Sequence, residues 1–257
     1  MHLRSLLSAL ILLAATMATW AQPRSIDPAL LAKATAGDAA SEYRVGLAYA
    51  TGDGVEQDLA QAAAWYRKAA VQGLAAAQLS LGVLYDHGMG VPQDYEAAAA
   101  WYQKAALQGV AEAQFNLGSF YERGVGVPQD YTQAADLYRR AAVQGNASAQ
   151  FNLALLYDNG QGVGRDYAQA AIWYNKAAEQ GVARAQYNLG SMYAQGQGVP
   201  QSYAEAYFWL ALATANWSGS HQEQAAKARE NVAARLSPFE LTAAQQRAQK
   251  WIAEHRK

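Results

Sequence analysis

GLAAAQLSLGVLYDHGMGVPQDYEAAAAWYQKAALQG, residues 73–109, decides how the rest of the chain is read. Between its two end glycines lie two apolar patterns with helical spacing. In the first, Leu81 and Tyr85 stand four apart and so share one helix face. In the second, Ala98, Trp101 and Ala105 are spaced three and then four. The stretch Gly88-Met89-Gly90-Val91-Pro92-Gln93-Asp94 interrupts them. Gly88 suits the left-handed residue that closes a helix, and Asp94 stands where the next helix needs a cap. Val91 is placed to tuck between the two helices. The unit therefore reads as helix, tight loop, helix.

The same unit recurs with a constant period of 36 residues and no gaps. Gly37, Gly73, Gly109, Gly145 and Gly181 keep that spacing, as do Tyr49, Tyr85, Tyr121, Tyr157 and Tyr193. Val55, Val91, Val127, Val163 and Val199 form a third ladder in register with both. A fixed period of this length marks a stack of helix pairs, because one pair alone cannot bury its apolar face.

Three recurring slots have a structural reading. Asp58, Asp94, Asp130 and Asp166 precede the second helix of each unit, and Ser202 takes the place in the fifth. A capping role survives that exchange, whereas a metal-ligand or acid-catalyst role does not. Gln61, Gln133, Gln169 and Glu205 follow three residues later and predict reciprocal capping boxes. Gly46, Gly82, Gly118 and Gly190, with Ala154 in the fourth unit, sit inside a helix and predict a close approach by a neighbour. Trp65, Trp101, Trp173 and Trp209, with Leu137 in the third unit, predict the aromatic core of the stack.

The pattern A-x-A-Q-[FYL]-x-L-G-x-x-Y-x-x-G-x-G-V-x-x-D-x-x-x-A-x-x-W-Y-x-K-A-A-x-Q-G resembles the Sel1-like repeat family, relatives of the tetratricopeptide repeats. The resemblance implies an all-α, right-handed α/α solenoid of five 36-residue helix-turn-helix repeats with capping helices at its ends. The repeats cover 37–216, an N-terminal capping segment 22–36 and C-terminal capping helices 217–257. Asp27-Pro28 opens a short helix to about Ala36. Ser220-His221-Gln222-Glu223 and Ser237-Pro238-Phe239-Glu240 each read as a capping box and imply helices near 221–236 and 238–254.

Residues 1–21 read as a signal peptide: a short polar start with Arg4, an apolar run, then Thr19-Trp20-Ala21 as a site for cleavage after Ala21. The run is shorter than the roughly 18–20 residues that span a bilayer. The chain has no cysteine, which excludes disulfides, thiol nucleophiles and zinc–thiolate sites. An exported chain without disulfides suits a bacterial periplasm, or secretion from a bacterium. Lys+Arg of 20 against Asp+Glu of 21 gives a net charge of −1, with no electrostatic footprint for nucleic acid and no polybasic membrane segment. His87, His221 and His255 form no ligand spacing, and no serine-nucleophile motif occurs. The expectation is no enzyme activity, no cofactor and no metal.

In tetratricopeptide repeats the first helix of each unit lines a concave groove. Aligned on Leu-Gly, the resemblance puts Phe115, Phe151 and Tyr187 there, with Asn116, Asn152 and Asn188 beside them and Glu122 and Arg123 a turn or two on. The asparagines are suited either to holding the backbone of an extended peptide or to satisfying neighbouring groups between repeats. The expected function is an exported scaffold or regulator that binds another envelope protein or peptide along this face. Alternatives are a structural component of a secretion or polysaccharide-export assembly and, more remotely, a cell-wall or β-lactam hydrolase.

Overall fold

The computed structural model describes residues 25–255, and the expected signal segment lies outside them. Thirteen helices and no strand form among the described residues. They fall into two compact units that divide after Asp94. The first holds α1 (Pro28–Thr35), α2 (Ala39–Thr51), α3 (Leu59–Val71) and α4 (Ala75–His87). The second holds α5 (Tyr95–Leu107), α6 (Ala111–Arg123), α7 (Tyr131–Val143), α8 (Ala147–Asn159), α9 (Tyr167–Glu179) and α10 (Ala183–Gln195). It continues with α11 (Tyr203–Asn216), α12 (Gly219–Ala233) and α13 (Pro238–His255). Within each unit a helix packs mainly on its neighbours in sequence, which is the contact pattern of a helical solenoid.

Both loop glycines are required. At Gly124 the chain turns left-handed, φ +68°, and its N–H donates to the Phe120 carbonyl, closing α6. At Gly126, φ +67°, a Cβ would lie 2.2 Å from the Tyr95 carbonyl oxygen at the start of α5. The second glycine therefore lets the loop lie against the preceding repeat, which no side chain permits.

The caps form, but only in one direction. Asp130 Oδ1 accepts from Thr132 N at 2.8 Å and Gln133 N at 3.0 Å. Asp58 and Asp166 do the same, and Ser202 Oγ accepts from Glu205 N at 3.3 Å. The return half of the expected box is absent because the cap N–H is already spent. Asp58, Asp130, Asp166 and Ser202 donate it to the carbonyls of Tyr49, Tyr121, Tyr157 and Tyr193. A loop glutamine also ties back: Gln129 Nε2 donates to the Glu122 carbonyl at 2.8 Å.

The reciprocal box does form at α13, where Ser237 N and Oγ donate to Glu240 Oε2 and Glu240 N donates to Ser237 Oγ. It does not form at Ser220: α12 starts earlier, at Gly219, behind Ser218, whose side chain makes no cap bond.

The aromatic core differs from the expected tryptophan row. Tyr102, Tyr138 and Tyr174 are each 0% exposed, and Tyr66 is buried, one position past the tryptophan slot. Trp173, Trp209 and Leu137 are buried, but Trp65 and Trp101 are only half-buried. Lys68 and Lys104 lie over the latter two indoles at 3.8 and 4.1 Å, so these rings face the rim of the stack and carry an ammonium. The in-helix glycines admit the tyrosines: a Cβ on Gly118 would lie 2.9 Å from the Tyr138 ring, and one on Gly46 2.6 Å from Tyr66. At Gly190 the opposing residue is Leu210, at 2.8 Å.

A glutamine ladder joins repeat to repeat. Gln114, Gln150 and Gln186 are buried and donate to the carbonyls of Ala106, Ala142 and Ala178 on the preceding helix. Their own carbonyl oxygens accept from Gln144, Gln180 and Asn216, 30 residues on. Two hydrogen bonds per amide make burial of this polar group affordable.

Candidate protein-binding face

The first-helix residues singled out in the sequence lie on α6, α8 and α10 of the second unit. Phe115, Phe151 and Tyr187 are half-buried. Phe115 packs on Tyr138 with centroids 5.9 Å apart, and Phe151 on Tyr174 at 5.8 Å. Tyr187 is different: it packs on Trp217 at 5.5 Å, and its hydroxyl accepts from Gln224 of α12 at 3.1 Å. The C-terminal cap thus engages the last ring of the row.

The asparagines are also half-buried, and two of them stand near a buried tyrosine of the preceding repeat. The Tyr138 hydroxyl donates to Glu122 Oε2 on its own repeat, and the Asn152 side chain of the next stands close enough to act on its titration. One period on, the Tyr174 hydroxyl donates to Asp158 Oδ2 at 3.2 Å, with Asn188 of the next repeat in the corresponding place. Burial, reinforced by the neighbouring carboxylate, pushes both phenols far above the ordinary tyrosine range. They remain neutral O–H donors throughout the physiological range.

Glu122 therefore belongs to the same cluster as the asparagine row, while Arg123 does not. Arg123 is exposed; its Nε donates to the Ser119 carbonyl at 3.2 Å and its guanidinium lies 5.6 Å from the Phe120 ring. Neither Glu122 nor Asp158 forms an ion pair among the described residues. Each carboxylate has one oxygen on a tyrosine and its negative charge unmatched. The face thus offers half-exposed rings and amides on α6, α8 and α10, and unneutralised carboxylates on α6 and α8.

The sequence reading missed the organising residue, the buried tyrosine. The signal was present: Tyr66, Tyr102, Tyr138 and Tyr174 keep the same period as the tryptophans beside them. Among the described residues no three of His, Cys, Asp and Glu gather as a metal site, and no helix is long and apolar enough to cross a membrane.

The Sel1 repeat model matches residues 39–74, 75–110, 111–146, 147–182 and 183–216. The chain belongs to the Sel1 repeat family. Sel1 repeats are protein-interaction modules. The family units begin at the first helix, two residues after the glycines used above to mark the period. A protective antigen of uropathogenic Escherichia coli strains, displaying the same repeat fold, is 35% identical with a TM-score of 0.74. That match takes in 84% of this chain but 47% of the antigen, so the chain spans about half the antigen's length. A Sel1 repeat protein from Oxalobacter formigenes is 31% identical with a TM-score of 0.70, over 86% of this chain and 88% of that one. No functionally curated protein matches.

Proposed function

We propose that this Sel1 repeat protein is an exported bacterial scaffold or regulator that acts by binding, not catalysis. It grips an extended segment of another envelope protein along the first-helix face of α6, α8 and α10. The observation that carries the reading is the row of half-exposed Phe115 and Phe151 beside Glu122 and Asp158, whose charges have no cation opposite them. Aromatic rings supply area to bury, and the amides of Asn116, Asn152 and Asn188 can pair with a peptide backbone. Export follows from the apolar run ending at Thr19-Trp20-Ala21.

Crosslinking in envelope extracts tests the binding face. The comparison is the double variant Glu122→Gln with Asp158→Asn, which keeps an acceptor for each tyrosine and removes the charge. Wild type should capture a partner that an equally stable variant loses; equal capture by both refutes the face. N-terminal sequencing of the exported protein should begin at Gln22, and retention in the cytoplasm with Met1 intact refutes export.

A further inference from the structure

The last repeat departs from the others along one face of α11. Tyr207 stands where the earlier repeats hold Ala63, Ala99, Ala135 and Ala171. Four residues on, and so on the same face, Ala211 stands where they hold Arg67, Gln103, Arg139 and Asn175. α12 and α13 both pack on α11, and the three helices surround a cavity of about 280 Å³. Ala211, Ala248 and Ile252 supply apolar wall, while Tyr207, Arg229 and the amides of Gln245 and Gln249 supply polar groups. A methyl group in place of a long polar side chain leaves space that the two capping helices do not fill.

Two of these polar groups have no partner. Arg229 is half-buried on α12, and its guanidinium makes no ion pair and no hydrogen bond among the described residues. No carboxylate lines the cavity, and those of α11 and α13 are engaged elsewhere: Glu205 with Arg247, Glu240 with Ser237 and Glu254 with Lys250. Tyr207 is only 8% exposed, and its hydroxyl also lacks a hydrogen bond among the described residues. No fully buried polar atom among them is left unpaired, so this hydroxyl meets open space, and the space that Tyr207 lines is the cavity. A half-buried cation and a phenol donor thus face a cleft whose other polar lining is neutral. Donors held out of bulk water without an acceptor suit an anion. One guanidinium balances one negative charge and matches the paired oxygens of a carboxylate, and the apolar wall suits a hydrocarbon body attached to it.

We propose that the cleft between α11, α12 and α13 binds a small organic carboxylate. Its oxygens pair with the Arg229 guanidinium and the Tyr207 hydroxyl, and its apolar body lies against Ala211, Ala248 and Ile252. The site uses none of the residues of the α6, α8 and α10 face, so its failure leaves the binding face above untouched.

Calorimetric titration of the purified protein with acetate, butyrate and benzoate, in a buffer free of other carboxylates, tests this. Benzoate should bind one-to-one and more tightly than butyrate, and butyrate more tightly than acetate, as the apolar body grows. Benzamide keeps the shape of benzoate without its charge and should bind about tenfold more weakly or worse. Arg229→Gln should weaken benzoate by about ten- to hundredfold, the value of a hydrogen bond to a charged group, and Tyr207→Phe by about three- to tenfold. Ala211→Gln restores the residue of the second repeat, leaves Arg229 and Tyr207 in place and should abolish binding by filling the cleft. No saturable binding of any of the three acids, equal binding of benzamide and benzoate, or a benzoate affinity unchanged by Arg229→Gln or by Ala211→Gln would each overturn the proposal.

Discussion

Replacing Tyr138 by Phe removes a single oxygen from the centre of the second unit. The ring is 0% exposed and keeps its contacts with Phe115 and the Gly118 backbone. What is lost is the hydroxyl bond to Glu122, beside the Asn152 side chain. A hydrogen bond to a charged group is worth roughly 1.5–3 kcal/mol. Glu122 and Asn152 are half-buried, so water recovers part of it. The expected net loss is about 1–2 kcal/mol. Tyr138→Ala also removes the ring and should cost roughly 3–5 kcal/mol. Because a repeat stack can open in sections, urea unfolding should be read alongside amide exchange in α6, α7 and α8. A cycle pairing Tyr138→Phe with Asn152→Ala should show non-additivity of at least about 0.5 kcal/mol, the mark of a shared contact. If Tyr138→Phe falls within about 0.5 kcal/mol of wild type, the level of an ordinary surface change, the hydroxyl does not tie α7 to α6.

Three further perturbations rank the other elements. Trp101→Ala should cost less than Tyr138→Ala, about 1.5–3 kcal/mol, since its indole is half-buried under Lys104; Asp130→Ala should cost only about 1 kcal/mol, and urea midpoints in the reverse order would invert these roles. Gln186→Leu strands the Ala178 carbonyl and the Asn216 amide and should cost roughly 1–3 kcal/mol in the same assay, whereas a neutral result would mean the glutamine ladder adds nothing. In alkali, Tyr66 holds its proton to about 12 against an ordinary 10.0, pushed up first by burial and then by Tyr43. The folded state binds that proton more tightly, so its contribution is complete below pH 10 and is lost as pH rises towards 12. Tyr66→Phe should flatten the fall in stability across that window, and an unchanged slope would place the loss elsewhere.

Legibility followed physical range. Helix pairs, loop and caps depend on residues within one turn of each other, so Gly88, Asp94 and Trp101 announce them without any fold. The 36-residue period adds the stacking, because identical pairs can bury their faces only on one another. Which ring is the core was not local. Trp101 and Tyr102 are adjacent, lie about 100° apart around one helix, and are both aromatic. Only packing decides that the tyrosine goes inside, as where the in-helix Gly46 admits Tyr66 and Gly118 admits Tyr138. The boxes within the repeats closed only halfway for a similar reason: the sequence supplies an acceptor at Asp130, but the Tyr121 carbonyl takes the cap N–H from outside the motif. At the binding face the pattern placed Phe115, Asn116, Phe151, Asn152, Tyr187 and Asn188 in register, since register is a matter of spacing alone. That Asn152 and Asn188 come beside the buried tyrosines of the preceding repeat, and that Glu122 takes the Tyr138 hydroxyl while Arg123 does not, depends on how the helices pack. That packing is something no single helix contains.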